Sequence, residues 1–331
     1  MNKKYVKIVS TGMYIPPKVL TNADLEKIVD TTDEWITTRT GIKERHIVEE
    51  NISTSDIATL AAQDAIKNAN ISVEDIDAII VATITQDMFF PSTACLVHQK
   101  LGIQKEVLAF DISAACSGFV YGLAVATSMI KTNICRNVLL IGAETMSKFT
   151  NWKDRSTCVL FGDGAGAMIL SQTDNEEENA VLSTYLSADG KYTDLLYIPA
   201  GGSKMPASHK TVEENLHTIF MSGKEVFKLA VTKMVESAIS ACNLAGIKTQ
   251  DLDLLIPHQA NLRIINAVGE RVDISPEKVF VNVHKYGNMS AATTIVGLHE
   301  AILEGKVKKG SKVCLISFGA GFTWASCVIK L

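Results

Sequence analysis

The stretch Val107-Leu108-Ala109-Phe110-Asp111-Ile112-Ser113-Ala114-Ala115-Cys116-Ser117-Gly118-Phe119-Val120-Tyr121-Gly122-Leu123-Ala124-Val125-Ala126-Thr127-Ser128-Met129-Ile130 decides the fold, because it holds a strand, a turn and a helix in one piece. Its first six residues read as a buried strand, and Phe119 to Ile130 reads as a core helix. Cys116 stands between them, facing the positive end of the helix dipole. There the thiolate, the nucleophilic form, is favoured. Most buried cysteines only pack, so other residues have to supply the argument for chemistry.

Outward from this unit, a second copy of it can be found. Ala65-Ile66, Ile71-Ser72 and Asp75-Ile76-Asp77-Ala78-Ile79-Ile80-Val81 are echoed by Ala238-Ile239 and Asp251-Leu252-Asp253-Leu254-Leu255-Ile256, with Asp75 and Asp251 separated by 176 residues. The strand from Val107 and its loop to Cys116 match Val279 to Val283 and the loop to Asn288, at an offset of 172. Val138 to Gly142 pairs with Val313 to Ser317 at an offset of 175. Shared order at nearly constant spacing means two copies of one mixed α/β unit. The apolar helices, Gly118 to Ile130 and Ser290 to Leu303, carry small residues on several faces, so they are expected to lie together between two sheets. The join is expected in the polar segment Ser171 to Asn179, giving halves 1–173 and 174–331. Pro199 to Lys210 reads as a long surface loop.

Composition narrows the function classes. A chain of 331 residues, 47% hydrophobic and 21% charged, has ample material for a globular core. Its net charge of −4 supplies no global field for nucleic acid, although a local basic patch is compatible with it. Seven cysteines, an odd number with no C-x-x-C pair, fit neither a disulfide framework nor a zinc cluster. They fit a reducing cytoplasm. The start, Met1 to Lys7, is followed by no apolar stretch of signal-peptide length, and the run Gly118 to Ile130 is too short to span a bilayer. A cytoplasmic protein with no membrane or metal requirement is the expectation.

The inferred symmetry places Cys116 and Asn288 at the starts of the two central helices. His258, in Ile256-Pro257-His258-Gln259-Ala260-Asn261, follows the strand Leu252 to Ile256 at its carboxyl end, where open α/β sheets carry their chemistry. Five strings in order then carry a resemblance: Asp33-Glu34-Trp35-Ile36-Thr37-Thr38-Arg39-Thr40-Gly41-Ile42, Ala114 to Phe119, Phe161-Gly162-Asp163-Gly164-Ala165-Gly166-Ala167, Pro257 to Arg263, and Gly287-Asn288 with Ser290-Ala291-Ala292. Over nearly its full length the chain resembles the β-ketoacyl-acyl-carrier-protein synthase III family, the initiating condensing enzymes of fatty acid synthesis.

That resemblance implies a thiolase-like α/β fold with duplicated halves in α-β-α-β-α layers. It implies that Cys116 takes an acyl group from acyl-CoA, and that His258 and Asn288 stabilise the enolate formed when malonyl-acyl carrier protein loses CO2. Acyl-CoA is a substrate in this scheme, and no separate cofactor is needed. The oxyanion hole falls to the backbone amides of Cys116 and Ala320. The family has Gly-Gly-Gly-Phe-Thr-Trp-Gly where this chain has Gly319-Ala320-Gly321-Phe322-Thr323-Trp324-Ala325, so the backbone at Ala320 must be one that tolerates a Cβ. By the same resemblance Trp35, Arg39, Arg155 and Asn261 contact the coenzyme, and Lys228 and Arg263 attract the acidic carrier protein. Phe90 reaches across a homodimer interface to close the partner's acyl pocket, and Phe318 lines the site.

Other readings compete. Cys116 and His258 are 142 residues apart, inside the papain-like range, but the C-G-S-C-W signature is missing. Gly162-x-Gly164-x-x-Ala167 loosely fits a dinucleotide fingerprint, yet Ala167 to Ser171 reads as a strand and the glycines as a tight hairpin. A non-catalytic relative would not need all three polar residues. The nearest alternative is a thiolase-fold starter enzyme of polyketide or alkylquinolone synthesis, which can keep the same three residues and use a different acceptor.

Overall fold

Ala78-Ile79-Ile80-Val81-Ala82 has no polar residue, the composition of a strand covered on both faces. None of its side chains reaches solvent in the computed structural model of the chain, which describes residues 3–331. It lies inside a five-stranded sheet. Numbered along the chain, β1 (Tyr5–Tyr14), β2 (Ala78–Ala82), β3 (Leu108–Ile112), β4 (Asn137–Thr145) and β5 (Asp163–Thr173) are ordered β1-β5-β4-β2-β3. β2 runs parallel to both neighbours, and β5 runs antiparallel to both of its own. In the second sheet, β6 (Val181–Ala188), β7 (Leu254–Pro257), β8 (Lys312–Gly319) and β9 (Thr323–Lys330) are ordered β7-β8-β9-β6. Its β7–β8 pair is parallel and the other two are antiparallel.

The alternation of strand side chains sorts the helices into layers. The longer helices are α1 (Asp33–Thr40), α2 (Thr54–Ala69), α3 (Thr93–Leu101), α4 (Gly118–Lys131), α5 (Gly223–Leu244), α6 (Leu262–Arg271) and α7 (Thr293–Leu303). Ile79 and Val81 pack against α2 and α3 on one side, while Ala78 and Ile80 pack against α4 and α7 on the other. The second sheet sends Ile256 and Leu315 towards α4 and α7, and Leu255 and Ile316 towards α5 and α6. Two buried helices between two sheets, with a helical layer outside each, are the five α-β-α-β-α layers expected.

Small residues let α4 sit so deep. A Cβ on Gly122 would lie 2.5 Å from Leu140 Cδ1, and one on Gly118 would lie 3.1 Å from Ala82 Cβ. The side chains of Phe119, Leu123 and Ile130 are fully buried, each contributing about 1.5–3 kcal/mol.

Four expectations are corrected. Val107 to Ile112 is no buried strand: β3 stands at the edge of its sheet, with Leu108 exposed and the rest half-buried. Val279 to Val283 is no strand: it forms one parallel bridge, Leu255 to Val279, and then turns. The Phe280 amide still donates to the Leu255 carbonyl at 2.9 Å, but those of Asn282 and Val283 are captured by the side-chain oxygen of Gln259. The Gly162 segment is no tight hairpin, since a long connection separates β4 from β5. Gly162, Gly164 and Gly166 instead make room for Tyr286, Met289 and Ile295. The pseudosymmetric offset at the central turns is 175 and not 172. The turn Ala115–Ser117 leads into α4 as Ser290–Ala292 leads into α7, and each turn starts on a non-glycine residue in the left-handed region, Ala115 at φ 46° and Ser290 at φ 44°. Cys116 therefore corresponds to Ala291, and Asn288 precedes the second turn.

Candidate active site

The turn carrying Cys116 is bound to the loop after β8 from both directions. Thr323 Oγ1 donates to the Ala114 carbonyl at 3.0 Å, and Ser117 Oγ donates to the Thr323 carbonyl at 3.1 Å. Gly319 is required here, because its Cβ would stand 2.7 Å from the Cys116 nitrogen. Ala320 follows, and it is not among the six non-glycine residues of positive φ, so its backbone is one that a Cβ tolerates. The Cys116 amide lies against its own thiol, and the Ala320 amide has no backbone carbonyl partner in the turns and loops of the described residues.

Cys116 lies just before α4, as the strand-turn-helix pattern implies, but its thiol is not held as the thiolate. Burial pushes it up to about 12, the Ser290 hydroxyl hydrogen-bonded to it opposes this, and the nearby Glu144 charge adds to it. Desolvation in the resting site outweighs the dipole on which the sequence argument relied.

His258 follows β7 directly, its amide donating to the Ile316 carbonyl of β8 at 2.7 Å. Burial alone pulls its imidazole down to about 3, so the ring is neutral around neutral pH. Nδ1 lies 2.6 Å from Thr293 Oγ1, which is also 3.0 Å from the Ser290 carbonyl. Thr293 has one hydroxyl proton for these two neighbours: placed on the Ser290 carbonyl it leaves the ring proton on Nδ1, and placed on Nδ1 it leaves the ring proton on Nε2, facing the cavity. Asn288 is held by a bridge to Phe161, its amide donating to the Leu160 carbonyl at 2.8 Å. Its side-chain oxygen accepts from the Ser290 amide at 2.8 Å, which leaves the carboxamide NH2 as the free end.

Cys116, His258, Asn288, Phe318 and Ala320 line one cavity of about 310 Å³, whose walls are otherwise mainly apolar, including Ile84, Met146, Leu196 and Ile219. Phe318 is buried, its ring 4.7 Å from that of Phe322. Asn261 also lines the cavity, and its carboxamide is engaged twice: the oxygen caps α6 by accepting from the Arg263 amide at 2.8 Å, and the nitrogen donates to the Arg39 carbonyl at 3.0 Å. Trp35 is flanked by two guanidinium groups, Arg39 at 4.7 Å and Arg155 at 4.9 Å from its ring. Arg155 also donates to the Asp30 carbonyl at 2.7 Å. Arg263 lies over Phe227, a cavity-lining residue, at 5.4 Å, and Lys228 is exposed one residue further along α5. Phe90 lies elsewhere. It is 85% exposed beside Phe89 at 75%, and it does not line its own chain's cavity.

Sequence reasoning missed Ser290, Thr293 and Glu144, which tie the site together from behind. Ser290 Oγ donates to Glu144 Oε1 at 2.9 Å, and Glu144 is fully buried at the end of β4. The available signal was an acidic residue closing the apolar run Val138 to Ala143, a place where a solvent-facing strand end is the ordinary reading. Among the described residues no cluster of three or more histidine, cysteine or acidic side chains is arranged to hold a metal ion.

Comparison with known proteins agrees with this architecture. The family models described as 3-oxoacyl-[acyl-carrier-protein (ACP)] synthase III and its C-terminal part match residues 110–190 and 242–331. The beta-ketoacyl-[acyl-carrier-protein] synthase III of Caldanaerobacter subterraneus subsp. tengcongensis is 56% identical over 98% of this chain and 97% of its own. The crystal structure of 3-oxoacyl-[acyl-carrier-protein] synthase III from Aquifex aeolicus is 49% identical, covers 98% of this chain and 100% of its own, and superposes with a TM-score of 0.91. The priming beta-ketosynthase of the R1128 polyketide pathway has the same TM-score, 0.91, at 30% identity, over 100% of this chain and 97% of its own. With half of its length matched by the family's models and nearly all of it aligned to close relatives, the chain belongs to the beta-ketoacyl-[acyl-carrier-protein] synthase III family.

Proposed function

We propose that the chain is a condensing acyltransferase that loads an acyl group from acyl-CoA onto Cys116 and joins it to malonyl-acyl carrier protein with loss of CO2, giving a β-ketoacyl-acyl carrier protein. The observation that carries this reading is the meeting of one thiol, one neutral imidazole and one carboxamide NH2 in a single apolar cavity. Cys116 Sγ attacks the thioester carbonyl, and the oxyanion is received by the amides of Cys116 and Ala320. After the coenzyme leaves, the malonyl thioester enters. His258 Nε2–H and the Asn288 NH2 donate to its carbonyl oxygen and stabilise the enolate that decarboxylation releases. Two neutral donors suit this step, since they stabilise charge on oxygen without protonating the carbanion. The carbanion attacks the Cys116 acyl group, and the product departs. Decarboxylation itself generates the nucleophile, so the scheme uses no metal or further cofactor.

Trp35, Arg39 and Arg155 would hold the coenzyme's adenine and phosphates by stacking and charge, with Asn261 fixing the helix α6 beside them. Lys228 and Arg263 supply a local positive rim for an acidic carrier protein. The exposed Phe89-Phe90 pair and the unpaired edge strand β3 of the first sheet favour a homodimer in which Phe90 closes the partner's acyl pocket. Seven unpaired cysteines and coenzyme-linked substrates suit the cytoplasm. The test is incubation with a panel of acyl-CoA primers and malonyl-acyl carrier protein, reading the adduct on Cys116 and the product together. Acylation without condensation onto malonyl-acyl carrier protein would favour a starter enzyme with another acceptor. Absence of any Cys116 adduct would overturn the proposal.

A further inference from the structure

Gln259 stands directly after His258 and is wholly buried, yet it does not line the cavity. Its carboxamide is bonded at every position it offers. Nε2 donates to the Pro257 carbonyl at 2.7 Å and to the Phe280 carbonyl at 3.1 Å, while Oε1 accepts from the Asn282 amide at 2.9 Å and the Val283 amide at 3.1 Å. One partner is the residue before His258. The other three belong to the segment that runs into Asn288. A glutamine is rarely so deep, and its burial costs free energy that the hydrogen bonds offset, so its place between His258 and the Asn288 segment asks for a use.

The single helical turn Val283–Tyr286 starts at Asn282, whose own side chain does not cap it. That side chain donates instead to Glu300 Oε2 of α7 at 2.7 Å. Gln259 Oε1 accepts two of the amides that the start of the turn leaves open, and it does so from a different segment of the chain. The turn closes with the Gly287 amide on the Val283 carbonyl at 3.0 Å, and Asn288 comes next. Its far side is fixed by the Tyr286 hydroxyl, which donates to Glu300 Oε1 at 2.6 Å. The side chains of His258 and Asn288 are linked through Thr293 and Ser290. Gln259 links the chain segments that carry them.

We propose that Gln259 is a positioning residue that holds His258 and Asn288 at the separation from which both reach one thioester carbonyl oxygen. The role rests on the reading of these two side chains as joint stabilisers of the enolate. Two donors serve one oxygen best when neither has to move as charge develops, and a displacement of about 1 Å can cost roughly 100-fold in rate. Cys116 is secured elsewhere, by Thr323, Ser117 and the close approach of Gly319. Loss of Gln259 should therefore reach decarboxylation and condensation and spare acylation.

The test uses Gln259→Met, which keeps the length and removes all four bonds, and Gln259→Glu, which keeps the acceptor oxygen but sets a second oxygen against the Pro257 and Phe280 carbonyls. Cys116 is first loaded from acetyl-CoA and the adduct counted by mass spectrometry. Malonyl-acyl carrier protein is then added, and condensation is followed per acylated site. Gln259→Met should acylate at close to the wild-type rate and condense about 10- to 100-fold more slowly per acylated site, with the loss in maximal rate and not in KM. Gln259→Glu should show the same split, and it stands in if Gln259→Met does not fold. A residue that only supports the fold would lower the fraction of sites that acylate and leave each acylated site condensing at wild-type speed. That result overturns the role, as does equal slowing of both half-reactions. Decarboxylation of the malonyl thioester, which needs the two donors and no acyl group on Cys116, gives the same comparison if no acyl-CoA is accepted. Lack of both reactions in the wild type would overturn the proposed activity, and the positioning role with it.

Discussion

The turns Ala115–Ser117 and Ser290–Ala292 share a backbone and differ in chemistry. Each opens on a non-glycine residue in the left-handed region and each leads into a buried central helix. A left-handed L-residue costs about 1–2 kcal/mol, so the conformation is kept in both halves against a price in stability. In the first turn the thiol of Cys116 faces the cavity, with alanines before it and the Ser117 hydroxyl committed to the Thr323 carbonyl. In the second, Ser290 binds Asn288, Glu144 and, through Thr293, His258, while the position matching Cys116 is Ala291. The first half supplies the nucleophile and the buried Glu144, and the second supplies Ser290, Asn288 and His258. Duplication thus fixes where chemistry can stand, and side chains divide it.

The largest effect should come from emptying the first turn. Cys116→Ala should lower acyl transfer from coenzyme A on the order of 10⁴-fold or more, leaving no adduct by mass spectrometry, while malonyl decarboxylation persists. An adduct on the variant would remove Cys116 from its role. Emptying the second turn's partners should act on the other half-reaction. His258→Ala and Asn288→Ala should each keep self-acylation and slow condensation about 10² to 10³-fold, as loss of one oxyanion donor does elsewhere. Equal damage to both half-reactions would erase the division of labour.

A smaller effect separates backbone from side chain. Ala115→Gly relieves the left-handed strain and loses one methyl, so its stability should stay within about 1 kcal/mol of wild type. Ser290→Gly relieves the same strain but leaves Glu144 short of a hydrogen bond, and should lose about 1–3 kcal/mol. Denaturant unfolding of both variants measures the difference. Equal values would mean that the second turn's side chain adds nothing to the fold.

What could be read without coordinates follows the same line. The Val107 to Ile130 unit was legible because strand and helix periodicities meet at one junction, and His258 because it ends a strand. The offset of 172 was misjudged because Asn288 lies before its turn and Cys116 within its own, a distinction of backbone angle that residue types do not display. The Val279 to Val283 segment has strand composition, yet its last two amides go to a glutamine side chain, a long-range contact beyond pattern reading. The dipole at Cys116 was visible in sequence, but the burial that overrides it was not. Glu144 escaped because a carboxylate at a strand end reads as solvent-facing, and only tertiary packing encloses it.

The finest test of the two halves is the pH dependence of stability, where their contributions oppose each other. His258 falls from an ordinary 6.5 to about 3 in the folded chain. Between those values the unfolded chain binds a proton that the folded chain refuses, so stability is lost as pH falls. Glu144 rises from an ordinary 4.5 to about 7, so between those values the folded chain keeps a proton that the unfolded chain has released, and stability is lost as pH rises. Each slope approaches about 1.4 kcal/mol per pH unit, and between 4.5 and 6.5 they cancel in the wild type. Glu144→Gln should uncover the histidine slope, with stability climbing across that interval, and His258→Ala should uncover the glutamate slope, with stability falling. Other titrating groups are common to all three proteins and drop out of the differences. Denaturant unfolding at both ends of the interval decides the matter: parallel profiles for the three proteins would mean that neither group is held in its buried state, and that the two halves of the site are not electrostatically opposed.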